Sequence, residues 1–185
     1  MTGLRSSRLV LAGLGAGFSL GLAARLWMRL ISKDPEFTWS GSIFIVLGFT
    51  VFGLGQAVVL VVRRRNSRRW RLTLVRTIGA ISMLPLFVAA GAVMFPTVLG
   101  GGLALSRVDW RRLTRWLWLL PAGGPVVFVG RDLIDSFGWS GQTLAGFVTM
   151  LAIYATIIRA SSSTFSPQLD GWHLLRRHGS VRPNR

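Results

Sequence analysis

The sequence has no cysteine, a single lysine, a single tyrosine and only six acidic residues in 185. Without cysteine there are no disulfides, no thiol catalysis and no cysteine-ligated metals. The two histidines, His173 and His178, both lie in the polar C-terminal stretch. A histidine-ligated metal within an apolar span is therefore excluded as well, and neither a metal nor a cofactor is expected. No Ser-His-Asp set, P-loop, GxGxxG or haem-attachment pattern occurs. Charge is also scarce. Charged residues make up 15% of the chain, against about 25% in a soluble domain.

Apolar residues take the place of the missing charge. They form 51% of the chain, whose mean hydropathy is +0.50. Long apolar runs assign the chain to the membrane class. The clear spans are 9–31, 39–62, 113–130 and 138–159. Arg5 and Arg8 before the first run resemble a signal-peptide start, but the run continues to Ile31, too long for an h-region. It is read as a retained span. The expected fold is an all-α polytopic bundle over residues 1–160, followed by a basic polar tail over 161–185.

The region 72–106 is harder to assign. It is too long for one span and short for two, and it contains Pro85, Pro96 and Gly100-Gly101-Gly102. The basic residues decide between the options. A single crossing, with the N-terminus inside, leaves ten basic residues inside and twelve outside. A double crossing, or a dip and return, puts eighteen inside and four outside. The positive-inside rule favours the second arrangement. It predicts six membrane segments, a turn near 86–91 and both termini cytoplasmic. The net charge of +16 is then a topology signal at the ends of apolar runs, and nucleic acid is not expected as a partner. The arginine run from Arg63 to Arg71 also suits anionic lipid.

The same arrangement gathers Asp34, Glu36, Asp132 and Asp135 at the outer end. Arg25 lies about 6 residues inside the first span, roughly 9 Å deep. An unpaired charge there costs at least ~2.5 kcal/mol, so Arg25 is expected to face the interior. The four acids are its candidate partners, in a structural ion pair or around a polar substrate. Asp132 and Asp135, three residues apart, share a helical face. Crowding and burial would keep one of them protonated as a general acid; a solvated loop is the alternative. Gly13, Gly17 and Gly21 form a small-residue stripe suited to close packing within the bundle or to a homodimer. Phe37-Thr38-Trp39-Ser40-Gly41 recurs as Phe137-Gly138-Trp139-Ser140-Gly141. Each copy precedes a span, where Trp suits the interface and Ser a helix cap.

A helical membrane chain of this size, rich in tryptophan and with carboxylates at one mouth, resembles the small bacterial membrane-bound terpene cyclases that act on prenylated indole compounds. The resemblance rests on size, span count and Asp34, Glu36, Asp132 and Asp135. It implies a bacterial cytoplasmic membrane, a lipophilic isoprenoid substrate and metal-free cyclisation begun by a protonated acid. Aromatic rings would shield the carbocation. The acid would be Asp132 or Asp135, or else Asp34 or Glu36. Arg25, Arg29, Trp27, Trp39, Trp139 and Tyr154 would contact the substrate. The competing expectation is a non-catalytic lipid-binding protein, a small transporter or a complex subunit.

Overall fold

The computed structural model describes residues 2–32, 38–65, 69–91, 94–107 and 109–166. These residues form seven helices: α1 (Thr2–Leu30), α2 (Trp39–Arg65), α3 (Arg69–Ile81), α4 (Leu84–Ala90), α5 (Met94–Ser106), α6 (Arg112–Phe137) and α7 (Gly141–Phe165). Four of them, α1, α2, α6 and α7, are long and apolar enough to cross a membrane. Backbone groups cannot be left unpaired in hydrocarbon, so long apolar runs fold as helices. On α1 the apolar side chains that nothing covers recur every three or four residues: Leu11, Leu14, Phe18, Leu22 and Leu26. That spacing leaves one apolar face of α1 uncovered by the rest of the protein.

The opposite side of α1 packs on α2, antiparallel and very close. A Cβ on Gly17 would lie 2.5 Å from the Phe49 carbonyl oxygen. One on Gly21 would lie 2.9 Å from Val46 Cα. Gly13 abuts Ala57 and Gly53. The glycine stripe thus packs inside the chain, the first of the two placements expected for Gly13, Gly17 and Gly21. The gain in backbone approach goes to the α1–α2 pair.

The region 72–106 is a hairpin of short helices. Pro85 brings no N–H to bond the Ile81 carbonyl, and the helix breaks at Ser82-Met83 between α3 and α4. The chain then leaves α4 at Gly91, whose φ of 92° suits a residue without a Cβ. The expected turn near 86–91 therefore falls at its far edge. The α3–α4 arm runs antiparallel to α2, with Gly79 against Val59, Ser82 against Gly55 and Ala89 against Gly48. The α5 arm returns beside α6 and α7, where Gly100 meets Trp118 and Gly101 meets Ile158. Thr97 Oγ1 donates to the Ala122 carbonyl at 3.0 Å.

This register fixes how deep the hairpin goes. Gly91 falls level with about Val46 on α2, and Met94 with about Pro125 on α6. At 1.5 Å per residue the turn stops roughly 10–18 Å short of the end marked by Trp39 and Phe137. The hairpin enters the bundle and returns to the end it came from. Arg63, Arg76, Arg107 and the start of α6 therefore share one end with Ser166.

One core joins every helix except α3: Trp27, Phe49, Phe52, Leu86, Val98, Met150 and Ile157 are among its buried members, and Val126 and Val129 of α6 pack against them. The echo motif splits in structure. Ser140 is the N-cap of α7 and accepts from Thr143 N at 3.2 Å. Ser40 lies inside α2, which starts one residue earlier. At the end of α6, Gly138 takes a φ of 64° and closes the helix with its N–H on the Ile134 carbonyl.

Candidate functional site

The end carrying Trp39 and Trp139 was the expected site. Arg25 is half-buried there, and its Nε donates to Ser42 Oγ at 2.9 Å. Ser42 Oγ in turn donates to the Thr38 carbonyl at 2.9 Å. Arg25 thereby ties α1 to the first turn of α2. Asp34 and Glu36, two of its expected partners, lie outside the described residues. Asp132 and Asp135 are on α6, both exposed. α6 does not pack on α1; α7 stands between them and touches both. The structure does not bring Arg25 and the aspartates together. Neither acid is enclosed by the protein.

Two of the expected substrate-binding rings are core residues. Trp27 is 7% exposed and Tyr154 is 5% exposed. The indole Nε1 of Trp27 donates to the Gly146 carbonyl at 2.8 Å, joining α1 to α7. Both rings are buried in the core, and neither lines the two grooves described below. Trp39 and Trp139 are 74% and 85% exposed, as interfacial rings are. Arg29 is exposed on α1.

The built polar site is at the other end. Along α2 a buried stripe runs through Phe49, Phe52, Gln56, Val59 and Arg63, spaced three or four residues apart. Its two polar members meet the C-terminus of α7. Gln56 Oε1 accepts from Thr164 Oγ1 at 2.7 Å and from Ser163 Oγ at 3.3 Å. The Arg63 guanidinium donates to the carbonyls of Ser163 and Ser166. Arg76, from α3, adds a bond to the Ser166 carbonyl at 3.2 Å. The last carbonyls of a helix have no partner within it and carry the negative end of its dipole. Two guanidinium groups answer both needs. Gly79 packs against Thr164 and so holds α3 against the same turn. The sequence reading treated Arg63 as one of a topological run. The signal that separates it is its spacing of seven from Gln56, which puts both on the buried face of one span.

Beside this seam a groove opens sideways between α1, α2 and α7. Its volume is about 300 Å³. Ala12, Gly13 and Ala16 form one wall, Phe52 and Gln56 the floor, and Thr156 the other wall. It follows α1 from Leu9 to Leu20. A second, wider groove of about 580 Å³ lies on α6 alone, from Trp116 past Gly123 and Gly124 to Arg131. A Cβ on either of those glycines would meet nothing within 4 Å. Neither groove is lined by a carboxylate, by Arg25 or by Tyr154. Among the described residues no cluster of three His, Cys, Asp or Glu side chains could hold a metal ion.

Among the described residues the chain is all-helical, and four of its helices are long and apolar enough to cross a membrane. No protein-family model, curated protein or solved structure matches it.

Proposed function

We propose that this chain is a non-catalytic, lipid-binding membrane protein that holds an acyl chain in the groove between α1, α2 and α7. The groove itself carries the reading. It is apolar, open to the side that faces lipid, and about 11 residues long, hence roughly 16 Å. Half of a hydrocarbon core is about 15 Å, so its length matches one leaflet. Small residues on α1 leave room for a chain, and the polar atoms of Gln56 are already engaged, Oε1 with α7 and Nε2 with the Gly79 carbonyl of α3. The acid-initiated cyclase reading needs an acid on a cavity wall, and it has weaker support from the grooves.

The orientation belongs to the same proposal. The bundle has four spans and one re-entrant hairpin in a bacterial cytoplasmic membrane, with the arginine-rich end and both termini in the cytoplasm. Support comes from eighteen of the 22 basic residues falling at that end in sequence. Reporter fusions after residue 109 and at the C-terminus are expected to read cytoplasmic. Opposite readings, or two external ones, overturn the orientation.

Filling the groove tests the binding. Ala16 is exposed on α1 at the groove wall, so Ala16→Phe adds a ring where a lipid chain would lie and leaves the core untouched. Purified protein is expected to retain co-purifying phospholipid, counted by mass spectrometry of the intact complex. The Ala16→Phe protein is expected to lose about one bound lipid and to keep its melting temperature. Equal lipid counts in the two proteins would remove the groove as the site.

A further inference from the structure

The groove has two different ends. At its inner end, near Leu20 and Phe52, it closes on apolar core. At its other end it stops at Leu9, Leu60 and Ala160, and an arginine stands close to each in sequence. Arg8 precedes Leu9 and lies one helical turn before Ala12. Arg159 precedes Ala160 and lies three residues after Thr156, on the same face of α7. Arg63 is three residues past Leu60. Arg63 is buried and spent on the end of α7. Arg8 and Arg159 are exposed. A chain from one leaflet that fills the groove ends where these two side chains begin.

We propose that the site selects an anionic phospholipid, with its phosphate headgroup held between Arg8 and Arg159 and one acyl chain in the groove; this rests on the lipid-binding reading above. Guanidinium groups fork onto phosphate oxygens. They come from two helices, α1 and α7, so the headgroup would bridge the two elements that wall the groove. No carboxylate lines the groove to oppose an anion. The positive field of the arginine-rich end attracts anionic lipid to the same leaflet.

The protein purified in detergent is titrated with phosphatidylglycerol and with phosphatidylcholine of the same chain length, and bound lipid is measured by native mass spectrometry. Each arginine near a lipid headgroup contributes about fivefold to anion preference. Wild-type protein is therefore expected to favour phosphatidylglycerol about 30-fold. The double variant R8Q/R159Q is expected to bind both lipids alike, at the wild-type phosphatidylcholine affinity. Ala16→Phe is expected to weaken both lipids. Excess inorganic phosphate is expected not to displace phosphatidylglycerol, because the chain supplies part of the affinity; displacement would make the site a free-anion site and overturn the proposal. Equal binding of both lipids to wild type overturns the headgroup assignment and leaves the acyl-chain reading standing. A preference that survives in R8Q/R159Q overturns it too. Failure of either lipid to bind removes both readings together.

Discussion

Arg63→Gln is expected to be the most damaging single charge removal in the protein. The guanidinium is 7% exposed and serves two carbonyls, those of Ser163 and Ser166, at the end of α7. Hydrogen bonds from a charged donor contribute about 1.5–3 kcal/mol each, and a buried acceptor left bare costs its desolvation. Glutamine is too short to reach both carbonyls and brings no charge to the helix dipole. Arg76 keeps its bond to Ser166, so the loss is partial. A destabilisation of about 3 kcal/mol is expected. It would be read as thermal unfolding in detergent followed by tryptophan fluorescence, with faster amide exchange confined to the last turn of α7. Arg63→Lys should recover less than half, since an ammonium is a point donor without the fork. Arg112→Gln supplies the control. Arg112 is exposed at the start of α6, and its removal alters the charge at the same end of the bundle equally. Surface changes of that kind stay within about 0.5 kcal/mol. If Arg63→Gln melts with Arg112→Gln, Arg63 is a topology signal and nothing more.

That comparison marks where sequence reasoning stops. Composition and span length were enough to find α1, α2, α6 and α7, because apolar length is a property of the chain alone. The third long apolar run spans 113–130 in sequence, whereas α6 continues to Phe137. Arg131, Asp132 and Asp135 ended the apolar run, yet a helix end can carry charges outward without unwinding. The basic count favours a return of 72–106 to the end it left. It could not set the depth, which depends on where Ala89 meets Gly48 and Thr97 meets Ala122. The candidate site was less legible. The acids were grouped because their loops share an end, but sharing an end says nothing about which helices touch. Arg25 on α1 and Asp132 on α6 are separated by α7, and that order of helices is a tertiary fact. Trp27 and Tyr154 carry the composition of a ligand cage or of a core, and packing alone distinguishes the two. Arg63 was hidden by its neighbours, since six further arginines follow within 13 residues. Its helical phase with Gln56 was present in the sequence all along.

Gly17→Leu is expected to detach α1 from α2. A Cβ at position 17 would lie 2.5 Å from the Phe49 carbonyl oxygen, 3.0 Å from Thr50 Cα and 3.1 Å from Gly53 Cα. All three are backbone atoms of α2, so no rotamer change can make room. The helices must move apart, and the loss spreads along a contact held by Gly13, Gly21 and the Arg25–Ser42 bond. Overpacking of this kind costs up to about 3 kcal/mol, and more where backbone must shift. Gly15→Leu is the matched control. A Cβ there would meet nothing within 4 Å, and leucine is a better helix former than glycine by up to about 1 kcal/mol. Gly15→Leu should therefore melt at or above wild type while Gly17→Leu melts far below it. Molecular mass in detergent separates packing from dimerisation. If the stripe joined two copies, Gly17→Leu would lower the mass and spare the fold; if it joins α1 to α2, the fold weakens at unchanged mass. The groove depends on the same contact. Its wall is α1, so Gly17→Leu should also lose bound lipid, whereas Ala16→Phe, one residue away on the exposed side, should lose the lipid and keep the fold. Two adjacent substitutions would then divide what the first helix does for stability from what it does for binding.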